Sequence, residues 1–205
     1  MLDAGRRAML VAPAALIALL VAPSSRAVLF TVDTTLDAVD AAPGDGACAA
    51  AGGRGCTLRA AIQETNALPG DDEVFVPPGT YQLTVTNGTD DDTSAAGDLD
   101  ITDNLFLHGS DAATTIIDAS TLVDRERVLH VGPTGVSSPT VTVEDLTLTG
   151  GDAGSTSNPN PEGRGGGIHV GDGTATLRRL VITRNETDAQ GNGCGAYVRN
   201  ASVLM

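Results

Sequence analysis

The chain has 205 residues and a net charge of −14, with 26 acidic side chains against 12 basic ones, all of them arginine. A surface of that sign repels nucleic acid and anionic lipid headgroups, which are bound by basic patches, and suits divalent cations or plain solubility. Tryptophan is absent and aromatics are few, so the core must be aliphatic, and sugar recognition by aromatic stacking is disfavoured while recognition by hydrogen bonds is not.

Arg6 and Arg7, the apolar run over 8–22 and the small residues of Ser25-Arg26-Ala27 read as a signal peptide covering 1–27. The run is shorter than the ~20 residues of a spanning helix, so no membrane span is expected in the mature chain, which would be secreted or held at the cell surface. Two arginines alone do not choose between the general and twin-arginine export routes. Residues 28–33 alternate apolar and polar as a short strand. Cys48 and Cys56 then flank a loop of small residues. In an exported chain a disulfide between them is the expected state; metal ligation competes, but two cysteines without a nearby histidine make a poor site.

Thr57 is placed to cap a helix whose Leu58, Ala61, Ile62 and Thr65 share one face, and Leu68-Pro69-Gly70 stops it. One short amphipathic helix ahead of many strands suits a cover over the open end of a strand stack. From Glu73 onward the pattern is strands and turns, at 74–76 and 80–85, followed by an aspartate-rich polar loop over 87–98. Leu99, Ile101, Leu105 and Leu107 are expected inward, as are Ile116 and Asp118, while Val128 and His130 take the phase opposite to Leu129 and Val131.

Strands this short suit either a sandwich or a parallel solenoid, and an internal repeat decides between them. Gly165-Gly166-Gly167-Ile168-His169-Val170 returns as Gly193-Cys194-Gly195-Ala196-Tyr197-Val198, and residues 140–149 return as 174–183. A third copy opens at Ala201-Ser202-Val203. Stacked coils require such matching and antiparallel folds do not. The alignment predicts inward stacks of Val141 over Ala175, Val143 over Leu177, Leu146 over Leu180 and Leu148 over Ile182, with rungs ~4.8 Å apart. It also predicts outward pairs: Thr149 with Thr183, Glu144 with Arg178, Asp145 with Arg179, and His169 with Tyr197. Cys194 occupies the place of Gly166 and is expected to be a small buried filler, not a nucleophile. Residues 151–165, with prolines and no apolar pattern, read as a loop between coils.

Cys56-Thr57-Leu58-Arg59-Ala60-Ala61, continued by Ile62-Gln63-Glu64-Thr65-Asn66-Ala67, resembles the bacterial CSLREA domain, an N-terminal module of secreted right-handed parallel β-helix proteins. The likeness runs from about Phe30 to Leu83 and includes Pro78-Gly79-Thr80-Tyr81 at the entry to the first coil. Thr57 stands where the motif has serine, which preserves a cap; Ala60 stands where it has glutamate, which removes the acidic partner of a capping box. Gly165-Gly166-Gly167-Ile168 and its copy resemble the repeats of pectate-lyase-like β-helix proteins. The resemblance implies an all-β, right-handed parallel β-helix solenoid with an N-terminal capping helix. It divides the mature chain into a cap over 28–72 and coils over 73–205. The chain stops inside the third copy, and we expect it to be the N-terminal part of a longer protein.

For function, the resemblance implies a structural, adhesive or binding role toward an extracellular or cell-surface ligand such as a polysaccharide, and the sequence assigns no catalytic, cofactor or metal residues. The enzymatic alternative is a lyase or hydrolase acting on acidic polysaccharide: by resemblance a lyase would use acidic side chains to hold Ca²⁺ with an arginine or lysine as base, whereas a hydrolase needs paired carboxylates. The best acidic candidates are Asp90-Asp91-Asp92 with Asp98, Asp100 and Asp103, whose spacing fits no known calcium loop and which read more simply as a solvated acidic loop. Convergence of Asp98, Asp100 and Asp103 on an arginine would favour the enzyme. His130 and His169 look isolated on outward strand positions. Gly150-Gly151-Asp152 and Gly171-Asp172-Gly173 are incomplete fragments of calcium-binding repeats.

Overall fold

In the computed structural model the described residues are 26–86, 91–123, 126–133, 135–154, 165–187 and 193–204. The expected signal peptide up to residue 25, Asn87-Gly88-Thr89 with Asp90, and most of the 151–165 loop lie outside them. The described residues form one helix, α1 (Leu58–Ala67), and strands β1 (Leu29–Thr31), β2 (Asp72–Val76), β3 (Gly79–Gln82), β4 (Leu99–Ile101), β5 (Leu105–Gly109) and β6 (Thr115–Asp118). They continue as β7 (Leu129–Val131), β8 (Thr140–Glu144), β9 (Thr147–Thr149), β10 (Ile168–Arg178), β11 (Val181–Thr183) and β12 (Ala196–Leu204). No described helix is long and apolar enough to cross a membrane.

Every pairing between these strands is parallel, in sheets that curl into a half-barrel. The larger sheet consists of two ladders that share a strand. β10 pairs with β7 through Ile168–Val170 and with β8 through Thr174–Arg178, so it belongs to both β4-β7-β10 and β1-β2-β5-β8-β10. β12 follows β10 in parallel from Ala196 to Leu204. The smaller sheet is β3-β6-β9-β11. Successive passes of the chain thus add one strand to each of three ladders.

The predicted register is observed. Val141 pairs with Ala175, Val143 with Leu177, Leu148 with Ile182, Thr149 with Thr183, Glu144 with Arg178 and His169 with Tyr197. The stacking also extends backward to passes whose repetition the sequence conceals. Val74, Leu107, Val143 and Leu177 form one inward column, and Leu99, Leu129, Ile168 and Ala196 another. Each fully buried Leu or Val in such a column contributes about 1.5–3 kcal/mol of transfer free energy. Two details differ. Ile117, not Ile116 with Asp118, enters the core, because register with β3 and β9 stacks it between the inward Tyr81 and Leu148. Arg178 is Glu144's neighbour in register, but the ion pair goes to Arg179 at 3.0 Å.

The inward face of α1 is as expected, and Thr57 caps it by accepting from the Ala60 amide. The helix is more than an end cover, however, since Arg59, Gln63 and Glu64 on its polar side are buried as well. α1 packs against β2 and β4, and a loop folds over its other side. That loop is held by Glu64, whose carboxylate accepts from the amides of Gly44 and Gly46, and by the Cys48–Cys56 disulfide. Cys56, Leu58, Ala61 and Ile62 belong to the same apolar cluster as the strand columns, so helix and strands share one core.

Candidate functional site

Three apolar-polar-apolar triplets form β4, β7 and the start of β10: Leu99-Asp100-Ile101, Leu129-His130-Val131 and Ile168-His169-Val170. Because side chains alternate along a strand, the flanking aliphatics enter the core and send the middle residue to the opposite face. Parallel register then stacks the middle residues as Asp100, His130, His169 and Tyr197. The His130 and His169 rings lie parallel, 6° apart, with centroids 4.8 Å apart, which is the rung spacing. Tyr197 meets His169 at 5.3 Å.

An outward face should be wet, yet both histidines and Asp100 are completely buried. The cover is the polar loop that precedes β4. Asp91 folds it by accepting from the Thr93 amide and hydroxyl and from the amides of Ala95 and Ala96. Ser94, with φ of 57°, donates its amide to Asp100 Oδ2 and exchanges hydrogen bonds with the Asp100 backbone. The helix motif grips this loop from behind. Arg59, pinned by Asp37, donates to the carbonyls of Ser94, Gly97 and Asp98. Gln63 donates to the Ser94 carbonyl, and Asn66 brackets Asp100 and Thr102.

Inside the cover, Arg127 bridges Asp98 and His169, with Nε 3.2 Å from Asp98 Oδ2 and Nη1 3.1 Å from His169 Nδ1. Asp100 Oδ1 lies 3.2 Å from His130 Nδ1, and Asp92 Oδ1 lies 3.8 Å from the same nitrogen. Burial, then the charge of Asp98, push the Asp100 carboxyl well above the usual range, against the Ser94 hydrogen bond and Arg127. Burial and the nearby Arg127 charge drive His130 far below its ordinary value, so its imidazole is neutral. Asp92 is the opening in the cover: its side chain is 46% exposed and lines a groove of about 410 Å³ beside Gln63, Asn66, Thr93 and Thr102.

The six aspartates singled out in the sequence therefore separate. Asp92, Asp98 and Asp100 converge on Arg127 and His130; Asp91 shapes the loop; Asp103 turns away to the Asn104 amide; Asp90 lies outside the described residues. The solvated-loop reading fails for Asp98 and Asp100 because the loop folds inward upon them. The histidines are neither isolated nor exposed. The signal for the cluster was the thrice-repeated triplet, of which the two-copy alignment included only Ile168-His169-Val170. Cys194 also differs from expectation, being exposed. Gly166 is covered closely by the Glu186 and Cys194 carbonyls of the next pass, whereas no described strand lies over Cys194.

A second feature lies on the ladder β2-β5-β8, where composition disfavoured it. Phe75 and Phe106, two of the chain's three phenylalanines, sit half-buried on its outward face with His108. Phe106 stacks on His108 at 4.5 Å and Phe75 meets it at 5.1 Å. His108 Nε2 is 2.8 Å from Glu73 Oε1, and Thr142 and Thr176 continue the Phe106 row. No family model matches this chain, and neither the curated proteins nor the solved structures contain a match to it.

Proposed function

We propose that this chain is a secreted or cell-surface protein, similar to CSLREA-domain proteins, whose passes wind as a right-handed parallel β-helix and whose role is to bind an extracellular polysaccharide. The right hand follows from the strong preference of connections between parallel strands. The observation that carries the binding role is the platform of Phe75, Phe106 and His108. Aromatic faces offer flat apolar contact to the C–H face of a sugar ring, while Glu73, Thr142 and Thr176 supply hydrogen-bond partners for hydroxyl groups. Rungs in register repeat those partners along the rod, as a polymer ligand repeats its own. Affinity electrophoresis through gels containing neutral and acidic polysaccharides tests the reading: at least one polymer should retard the protein, and Phe106→Ala should abolish the retardation without lowering the melting temperature by more than a few degrees. Equal mobility of parent and variant in every gel overturns it.

The second reading, a lyase or hydrolase on acidic polysaccharide, draws on the convergence of Asp98 and Asp100 with Arg127. Against it stands their burial, since a general acid or base must come within hydrogen-bond reach of the substrate. Release of unsaturated uronate, with and without divalent cation, distinguishes the two.

A further inference from the structure

Two atoms in the buried ladder pose a chemical question that polysaccharide binding does not answer. Asp100 Oδ1, on a fully buried side chain, receives no hydrogen bond from any described residue, and it faces His130 Nδ1 at 3.2 Å. The other carboxylate oxygen is already engaged by the Ser94 amide. Something positive belongs between a carboxylate oxygen and an imidazole nitrogen so placed. Asp92 Oδ1 adds a third donor 3.8 Å from Nδ1, and one donor atom from each of the three residues lies within 4.8 Å of the others.

From these positions we propose that Asp92, Asp100 and His130 bind one divalent transition-metal ion of the zinc class, with an open coordination position toward the groove. Ligand atoms about 2.0–2.1 Å from a tetrahedral ion stand about 3.3–3.4 Å apart, and the observed 3.2 and 3.8 Å straddle that value. Calcium fits worse, because it takes six to eight oxygen ligands and here one of three donors is an imidazole nitrogen. The positioning is built into the fold. Asp100 and His130 are register partners on β4 and β7, fixed by the core columns on either side of them. The ladder above holds His130 in place, since His169 stacks on its ring. Asp92 comes from the folded loop, which Arg59 and Gln63 clamp to the helix. The half-exposed Asp92 in the groove wall gives the ion its entry and leaves room for a water as fourth ligand.

The test uses the full chain, stripped with chelator and titrated with Zn²⁺ by calorimetry and with Co²⁺ by visible absorption. One ion per chain is expected, with the d–d bands of low-coordinate Co²⁺, and excess Ca²⁺ should not displace it. Asp100→Asn and His130→Gln should each weaken binding by at least about 100-fold. Asp92→Asn, at a half-exposed position, should weaken it by at least about 10-fold while circular dichroism stays unchanged. The proposal is overturned if the stripped chain takes up no ion, which would assign a proton to the Asp100–His130 gap. It is also overturned if Ca²⁺ competes on equal terms, or if Asp92→Asn and His130→Gln both bind like the parent.

Discussion

Arg127 and Arg179 each hold an aspartate through Nε, one in the buried ladder and one at a solvated corner, and the shorter contact is the less important. Arg179 reaches Asp145 at 2.6 Å and also takes Glu144, with 58% of its side chain exposed. Arg127 lies 3.2 Å from Asp98, and its side chain is 3% exposed. Asp145 and Arg179 continue the register of β8 and β10, whereas Asp98 and Arg127 precede β4 and β7 and meet one residue out of register. What sets their weight is the medium. At the corner, water screens the pair, and the Arg179 hydrogen bond holds the Asp145 carboxyl below its ordinary value. In the ladder there is little water to replace a lost partner, so burial pushes Asp100 up and each remaining charge depends on its neighbours.

Substituting the two arginines alike is the sharpest way to break this distinction. Arg127→Met should lower the unfolding free energy by about 3–5 kcal/mol, because it strands Asp98 in the interior. Chemical denaturation measures it, and a loss no larger than that from Arg179→Met would erase the contrast. Cys48→Ser with Cys56→Ser should cost about 2–3 kcal/mol through the freedom restored to a short loop in the unfolded chain, observable as a lower denaturation midpoint. Glu64→Gln should cost about 1–3 kcal/mol, because one of the Gly44 and Gly46 amides loses its acceptor.

The same variant should also change the pH profile. Burial raises the Glu64 carboxyl above 4.5 in spite of those two hydrogen bonds, so the folded state holds its proton more tightly than the unfolded state. The parent's stability should therefore fall as pH rises from 4.5 through the folded value, and Glu64→Gln should flatten that limb. A steeper limb in the variant would contradict the burial argument. The smallest effect belongs to the corner: Arg179→Met should leave the melting temperature unchanged within error at moderate salt.

Much of the fold was legible in the residues. The matched copies at 140–149 and 174–183 predicted the rung register, and the cap at Thr57, the inward face of α1 and the disulfide partners were all readable locally. Legibility failed where a residue's environment comes from a distant segment. His130 looks like an outward strand residue until the loop carrying Asp92 and Ser94 is laid over it. Phe75 and Phe106 count as scarce aromatics until β2 and β5 pair and bring them to one histidine. Arg59 is one letter of a helix motif until it is seen clamping three carbonyls of the loop over the ladder.

What the sequence determined by itself was periodicity: alternation along each strand and repetition between strands, both set by neighbours within reach of the backbone geometry. What only the tertiary structure decided was which outward face is dry. Periodicity assigns a side chain to a face, but burial depends on what packs across that face from tens of residues away. The same outward phase that leaves Thr142 half-exposed encloses His130 and Asp100 completely. That enclosure turns a row of polar residues into a cluster with its own chemistry, because charge and hydrogen-bond partners carry most weight where water cannot substitute for them.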